Sequence, residues 1–290
     1  MTDNSLVNLG ELSKPATVLI EKIAGAVGGI FKPYQIVRVA KADAEAERIR
    51  AESQIQISDL HRRAMYRFLE EEAKKQQNIE GITRQALPLL AKESKPENVD
   101  DDWITNFFDK GRIISDQQMQ VLWSKILAGE ANSPGTFSKK TVNLLSDLDR
   151  RDAELFSHLC AFCWVIGGVV PLVFDVQNEI YNRRGITFDS MSHLDNLGLV
   201  QFSNFEFLRV QLPKTLRVYY CGRPLELTLP DDTSNRLRVG NVVLTKAGEE
   251  LAGVNDSSPI EGFFDFVYDR WASQSYVPKT ASKQGFSSDQ

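Results

Sequence analysis

One stretch, residues 98–156, constrains the fold of this chain more than any other. At its centre, residues 115–127 (SDQQMQVLWSKIL) carry apolar side chains at the helical offsets i, i+3, i+4, i+7 and i+8. These side chains are Met119, Leu122, Trp123, Ile126 and Leu127. Ser115 and Gln118 have the spacing of a capping box, which predicts that the helix begins there. A continuous apolar face has to be buried by other elements, so the stretch predicts a compact helical core.

The neighbouring segments supply two further helix faces. The segment before the central helix is apolar on one side, at Trp103, Ile104, Phe107 and Phe108. The segment after it, residues 138–150, is predicted to bury Leu144, Leu145 and Leu148. The connection LAGEANSPGTFS contains Gly129, Pro134 and Gly135, which predicts a break between the two helices. Three helices therefore account for most of a core domain at residues 98–156.

Composition places the chain among ordinary globular proteins. Its 290 residues are 42% hydrophobic and 25% charged, enough for one large or two ordinary domains. A net charge of −5 argues against broad attraction to nucleic acid. Three cysteines without framework spacing suit a reducing compartment, and residues 1–10 lack the features of a secretory signal. We therefore expect a cytoplasmic protein, with peripheral contact to the inner membrane left open.

The N-terminal segment, residues 1–33, contains a glycine-rich apolar run. The run covers nine residues, Ile23–Phe31, against the roughly 20 that span a bilayer. Small residues four apart allow another helix to approach closely, and the surrounding lysines suit a helix that lies in a membrane surface. Packing on the protein's own core or on a second copy is the alternative interpretation. The candidate residues for membrane contact or self-association are Gly25, Gly28, Gly29, Ile30 and Phe31.

Residues 34–90 are predicted to form a long helix. The segment up to Gln77 is rich in strong helix formers, contains no glycine or proline, and alternates charges of both signs. We expect a weakening at Gly81 and an end at Pro88. A thin apolar seam runs along the helix at Ile36, Ala40, Ala44, Ile49, Ile55, Leu60, Met65, Leu69 and Ala73. The seam predicts a coiled-coil-like arm that pairs with another chain, or a helix folded back along its own domain.

A charged linker at residues 91–102 is predicted as the first domain boundary, and the C-terminal half begins after the helical core. A buried helix is predicted up to Trp164, a further helix at residues 175–184, and another at residues 187–197. Strand-like runs follow at 205–212, 216–221, 225–229 and 239–244, and Thr245 opens a short helix. This order, with the pairing HLDNLGLV…VLTKAGEELA, resembles a winged-helix domain over residues 141–253, and together with the final helix the predicted domain spans residues 141–272. The helix in the recognition position has two aspartates and no Lys or Arg, so a protein-interaction or structural module is expected.

The last predicted helix begins at Ser258-Pro259-Ile260-Glu261, which has the cap, N1 proline and acidic residue of a helix start. Its large apolar side chains must dock on the body or on a partner. The candidate partner-binding residues are Phe263, Phe264 and Trp271. Residues 273–290 are predicted to be a disordered tail.

Sequence motifs indicate no catalytic residue, no cofactor and no metal. The chain lacks a P-loop, HExxH, GxSxG and the protein-kinase motifs. Cys160 and Cys163 form a CxxC, but only Cys221 and His193 could complete a zinc site, so buried core cysteines are predicted. Three consecutive aspartates at residues 100–102 are better explained as helix-capping charges than as a metal cluster.

The helical core also carries a family resemblance. The residues concerned are Trp103, Phe107, Ser115, Asp116, Met119, Trp123, residues 126–130 (ILAGE), Pro134, Gly135, Ser138, Leu145, Leu148, Asp152 and Ala153. With them the chain resembles an uncharacterised bacterial domain-of-unknown-function family and the related abortive-infection alpha proteins. The resemblance implies a bacterial protein that acts in defence against phage, and it implies no catalytic residues. The N-terminal apolar run is shorter than a membrane span, which argues against a pore.

The expected fold is mainly α, with a long N-terminal helix, a helical core and a C-terminal α+β winged-helix-like domain. The leading functional hypothesis is a non-enzymatic anti-phage protein that self-associates through its long helix and contacts the inner membrane through its N-terminal segment. The alternative is a scaffold or adaptor that binds a protein partner through the winged-helix-like domain and the last helix. A transcription regulator is the third hypothesis, although nucleic acid is not expected as a partner.

Overall fold

The computed structural model describes residues 13–28, 59–274 and 276–280. The chain divides into two compact units, residues 1–147 and 148–290. This division falls where the predicted helical core and winged-helix-like domain overlap, whereas the predicted linker at 91–102 lies inside the first unit. The structure is roughly half helical with about 18% strand, so the fold is mixed α+β rather than mainly α.

The described part of the first unit is helical. Its elements are α1 Lys14–Val27, α2 Asp59–Ala86, α3 Asp101–Gly111, α4 Gln117–Asn132 and α5 Lys139–Asp147, with short 3₁₀ turns at Leu87–Leu89 and Pro96–Asn98. The central helix α4 begins one residue later than the capping-box prediction. Its cap is Asp116, whose carboxylate accepts a hydrogen bond from the Met119 N–H at 3.0 Å. Ser115 instead accepts a side-chain hydrogen bond from Asn78 on α2.

Aromatic side chains from α3 and α4 form the centre of this unit. Trp123 on α4 is fully buried, as are Ile126 and Leu127. The rings of Phe107 and Trp123 lie 4.9 Å apart, and Phe107 stacks on Trp103 at 5.0 Å. The predicted packing of the central helix against the segment before it is therefore confirmed.

A buried carboxylate fixes the connection between α4 and α5. Glu130 is only 2% exposed, and it accepts hydrogen bonds from the backbone N–H groups of Gly135 at 2.6 Å and Phe137 at 2.8 Å. The Trp103 indole N–H donates to the Phe137 carbonyl oxygen at 2.7 Å. The proline-glycine turn is therefore held by side chains of α4 and α3, and the buried carboxylate is stable because both of its oxygens accept hydrogen bonds.

Backbone hydrogen bonds also hold residues 91–102 in the first unit. The Lys95 N–H donates to the Ala131 carbonyl oxygen at 3.0 Å, and the Ala91 N–H donates to the Asn132 side chain at 2.8 Å. Asp100 caps α3 by accepting from the Trp103 N–H at 2.7 Å, as the capping interpretation of residues 100–102 predicts. This segment is part of the helical body rather than a linker.

Helix α2 is continuous through Gly81 and ends at Ala86, two residues before the predicted proline stop. Its buried residues are confined to the C-terminal third: Asn78, Ile79, Ile82, Thr83 and Ala86. The remainder of the predicted long helix, residues 34–58, lies outside the described part of the chain.

The second unit combines helices with two antiparallel sheets. Its helices are α6 Arg150–Cys160, α7 Glu179–Asn182, α8 Phe188–Asn196, α9 Lys246–Ala252 and α10 Phe263–Ser273. Its strands are β1 Cys163–Val165, β2 Val169–Pro171, β3 Val200–Leu212, β4 Thr215–Tyr220, β5 Arg223–Thr228, β6 Asn235–Leu244 and β7 Val277–Thr280. One sheet has the order β2-β1-β4-β5-β7, and β3 pairs with β6 in the other.

Four sequence predictions are wrong in this unit. The helix expected up to Trp164 ends at Cys160, because the chain turns into the β1–β2 hairpin. Only Glu179–Asn182 is helical in the segment predicted as a helix over 175–184. The last helix begins at Phe263 behind Gly262, not at the Ser258 cap. Residues 277–280, assigned to a disordered tail, form β7 and pair with β5.

The two halves of the motif HLDNLGLV…VLTKAGEELA meet in space. Thr245, which caps α9, donates its backbone N–H to the Leu199 carbonyl oxygen at 3.0 Å, and its hydroxyl donates to the Gly198 carbonyl oxygen at 2.7 Å. A Cβ at Gly248 would overlap the Leu199 carbonyl oxygen. The glycine at this position therefore allows α9 to lie directly on the turn after α8.

Candidate functional site

The most unusual surface of the first unit lies on the N-terminal part of α2. Every residue from Asp59 to Lys74 is exposed, and we call this segment the arm. Four large apolar side chains of the arm form what we call the arm face: Met65, Tyr66, Phe68 and Leu69, which are 56%, 51%, 57% and 46% exposed. Leu60, nearer the start of the arm, is 65% exposed. Contiguous exposed apolar side chains of this size are typical of an interaction surface.

The arm face continues the side of α2 that packs on the body. Thr83 and Ala86 are fully buried, and they follow Met65 and Phe68 by 18 residues, or five turns of about 3.6 residues. Residues five full turns apart lie on the same side of a helix. The apolar side of α2 therefore extends past the point where its own body covers it.

Charged residues surround the arm face. Arg62, Arg63 and Arg67 come before residue 70, and Glu70, Glu71 and Glu72 follow in an unbroken run. Within the helix, Arg62 pairs with Asp59 at 2.9 Å, Arg67 with Glu71 at 3.4 Å, and Lys75 with Glu72 at 2.6 Å. Such exposed pairs contribute about 0–1 kcal/mol each, so these charges stay available to a partner.

The predicted N-terminal site is only partly within the described residues. Helix α1 packs on the body through Ala16, Leu19, Ile20 and Ile23. Gly25 is exposed with open space around it, and Gly28 ends α1 in the left-handed conformation at φ 79°. Gly29, Ile30 and Phe31 lie outside the described residues.

A lysine anchors α1 to the first unit. The Lys22 ammonium donates to the carbonyl oxygens of Glu97 and Val99, and it lies 3.0 Å from the Asp101 carboxylate. The apolar side of α1 is therefore used by the protein's own core, as the packing interpretation of this segment expects.

The predicted partner-binding residues of the last helix are buried in the second unit. Phe263 and Trp271 are fully buried, and Phe264 is 5% exposed. Trp164 lies 5.3 Å from Phe264 and 5.2 Å from Trp271, measured between ring centroids. These three aromatics build the core, so their side chains present no surface to a partner in this structure.

The two cysteines of the CxxC lack the environment of a redox site: Cys160 is buried and Cys163 is half-buried. A hydrogen bond with the Cys160 thiol, together with burial, raises the pKa of Cys163 well above its usual range. Cys221 is exposed as a whole residue, and partial burial of its thiol raises its pKa. A redox-active CxxC needs a low thiol pKa and a helix N-terminus, whereas Cys160 is the last residue of α6.

Residues 13–28, 59–274 and 276–280 bear on two further kinds of site, a metal centre and a membrane span. Within these ranges no three His, Cys, Asp or Glu side chains converge in a way that could hold a metal ion. No helix in the same ranges is both long and apolar enough to cross a membrane. His193, once a candidate ligand, lies 2.6 Å from the Asp152 carboxylate, which links α8 to α6.

Acidic side chains pair with several cations of the β3–β6 region. Lys214 lies 2.7 Å from Asp232, and Arg238 lies 2.8 Å from Glu206. The Arg223 guanidinium stacks on the Phe264 ring at 3.5 Å. A duplex-binding surface needs cations that are free to contact phosphate, so this pattern does not favour DNA binding.

Sequence reasoning found only part of the arm face. Met65 and Leu69 belonged to the predicted seam, whereas Phe68 and Tyr66 were missed. The i, i+3 step from Met65 to Phe68 was the available signal, since both offsets of three and four lie on one helix side. The hydrogen bonds from the Gly135 and Phe137 N–H groups to the Glu130 carboxylate, which we call the Glu130 clamp, were also missed, although the sequence shows a glutamate four residues before the proline-glycine turn.

Comparisons with known proteins place the sequence in one family. A family model described as "Protein of unknown function (DUF2806)" matches residues 62–267, which include parts of both units. A search of curated proteins and a search of solved structures each returned no match.

Proposed function

Since the chain belongs to the family described as Protein of unknown function (DUF2806), we propose a function from its own surface. The protein is a non-enzymatic assembly protein that self-associates through the arm face of α2. It acts in bacterial defence against phage, where assembly of many copies arrests or kills an infected cell.

One observation carries this proposal: the apolar side of α2 is half exposed along the arm, beyond the body that buries it at Thr83 and Ala86. Burial of one large apolar side chain contributes about 1.5–3 kcal/mol. Contact with a second copy would bury the exposed parts of four such side chains, Met65, Tyr66, Phe68 and Leu69, and this burial favours association.

The defence role is supported by the resemblance of residues 101–156 to abortive-infection alpha proteins. In the structure those residues build the helical core and the Glu130 clamp, which are structural features. A defence protein without catalytic groups must act through what it binds, and the arm face brings four exposed large apolar side chains together on one described helix.

Membrane contact through residues 14–34 is a further part of the proposal. The side of α1 with Leu19 and Ile23 is taken by the protein's own core, so a membrane would meet the opposite side and the residues after Gly28. Such a contact is peripheral, and it leaves the Lys22 anchor in place.

The defence test compares phage plaque counts on bacteria that express the wild-type protein, Leu69→Asp or Lys74→Asp. Leu69 is on the arm face, while Lys74 is exposed on the opposite side of α2 and serves as the matched control. We expect protection from the wild type and Lys74→Asp, and its loss with Leu69→Asp at equal expression. Equal protection by both variants would contradict a role for the arm face.

A second candidate function, a scaffold, is favoured by strand β3. Phe205 is 83% exposed at a register shift between β3 and β6, and Val210 is 55% exposed on the same strand. The order of α6 to α8 followed by β3 and β6 supports our proposal of a winged-helix-like module that binds a protein. Loss of protection with Phe205→Asp, but not with Leu69→Asp, would move the function to this surface.

A further inference from the structure

The arm has a symmetric arrangement of side chains about Arg67. Tyr66 and Phe68 lie one residue to either side, and Met65 and Leu69 lie two residues to either side. A two-fold interface uses the same patch on both subunits, so it must be complementary to itself. When a second copy of the arm lies antiparallel to the first, with residue 67 of both copies at the same level, apolar side chains of one copy lie opposite apolar side chains of the other.

Charged residues of the arm at equal distances from Arg67 carry opposite signs. Arg62 and Glu72 lie five residues to either side of Arg67, and their side chains are 58% and 45% exposed. Glu72 follows Met65 by seven residues and Arg62 precedes Leu69 by seven, so both are on the side of the helix that carries the arm face. Reversal about residue 67 therefore places a positive charge opposite a negative one.

We propose that the partner of the arm face is a second copy of this chain, bound antiparallel with its two-fold axis at Arg67. This inference rests on the proposed self-association and adds its geometry. Met65 of each copy then faces Leu69 of the other, and Arg62 of each copy faces Glu72 of the other.

A parallel pair would place like charges together. Arg62 of one chain would lie beside Arg62 of the other, and Glu72 beside Glu72 of the other. Like charges at an interface oppose association. The apolar side chains would meet in either orientation. The orientation is therefore decided by the charges, and these favour the antiparallel pair.

Charge reversal in the full-length chain tests this orientation. Arg62→Glu and Glu72→Arg each create two like-charge contacts in an antiparallel dimer. We expect each variant to raise the dissociation constant of the dimer about tenfold, and the Arg62→Glu/Glu72→Arg double variant to restore it. In a parallel dimer the single variants replace one like-charge contact with another and leave the dissociation constant unchanged.

Disulfide formation gives a second, independent readout. In a Cys221→Ser background, a chain with Arg62→Cys is mixed with a chain carrying Glu72→Cys and oxidised. The antiparallel dimer links the two different chains, while neither chain links to itself, because equal positions are about 15 Å apart along the axis. Thiols whose Cα atoms are more than about 7 Å apart cannot form a disulfide.

Three outcomes separate the possibilities. Cross-linking between the two different chains, with rescue by the double variant, supports the antiparallel dimer. Self-linking of each single-cysteine chain, with no effect of charge reversal, overturns the antiparallel geometry and leaves self-association intact. A full-length chain that stays monomeric at every concentration overturns both the antiparallel dimer and self-association, and the partner of the arm face is then a different protein.

Discussion

At the scale of single residues, the Glu130 carboxylate binds the connection between α4 and α5 through two hydrogen bonds. It accepts from two backbone N–H groups, those of Gly135 and Phe137, in a site where it is 2% exposed. Hydrogen bonds to a charged group contribute about 1.5–3 kcal/mol each, and their loss leaves buried donors unpaired.

We predict that Glu130→Ala lowers the free energy of unfolding by about 3 kcal/mol, measured by urea denaturation. The matched control is Glu93→Ala, because Glu93 is an exposed glutamate of the same unit. A loss no larger than that of the control would show that the clamp does not stabilise the fold.

Thiol reactivity follows from the environment of each cysteine. The hydrogen bond with Cys160 and burial raise the pKa of Cys163, so its reactive thiolate is scarcer than that of an ordinary cysteine at any given pH. Cys160 is buried, and Cys221 is exposed.

We predict that a maleimide at pH 7.5 modifies Cys221 in the folded protein and leaves Cys160 and Cys163 unmodified until denaturant is added. Peptide mass spectrometry before and after unfolding measures the three sites separately. Rapid native modification of Cys163 would contradict a half-buried thiol with a raised pKa and would reopen the redox interpretation of the CxxC.

At the scale of elements, two helical glycines differ sharply in what surrounds them. A Cβ at Gly248 would overlap the Leu199 carbonyl oxygen, so α9 would have to move away from the turn after α8. At Gly25 nothing lies within 4 Å of the added atom.

We predict that Gly248→Ala lowers the thermal unfolding midpoint of the second unit. Gly25→Ala leaves stability unchanged or raises it by about 0.5–1 kcal/mol, since alanine favours helix over glycine. Both variants are compared by circular dichroism over the same temperature range. A destabilising Gly25→Ala would indicate that another helix approaches α1 closely at this position.

The sequence predicted helices better than their ends. The spacing of Trp123, Ile126 and Leu127 identified α4 correctly, because a buried helix needs apolar residues on one side. Its cap was misplaced by one residue, since Ser115 and Asp116 can both accept a backbone hydrogen bond and only tertiary packing decides between them.

Strand pairing decides the remaining elements and was harder to predict. The apolar run after Cys160 continues the helical pattern, but the chain leaves the helix because β1 pairs with β2 and β4. Residues 277–280 are short and contain a proline, so their pairing with β5 has little signal in the sequence. Only half of the arm face was predicted. The sequence shows an apolar seam along the helix, but tertiary packing determines which part of that seam the rest of the unit buries.

At the scale of the whole molecule, each unit has its own aromatic core, one around Trp123 and one around Trp164. The family match at residues 62–267 begins inside the arm and continues into α10. The arm face therefore lies within the matched residues, whereas α1 precedes them.

The most direct test of self-association is the mass of the full-length protein in solution, measured by light scattering after size-exclusion chromatography. We expect a mass of at least twice the 32.7 kDa chain for the wild type and for Lys74→Asp. We expect the mass of a single chain for Met65→Asp/Leu69→Asp, with an unchanged circular dichroism spectrum. A wild-type protein of 32.7 kDa, or equal masses for all three proteins, would contradict self-association through the arm face.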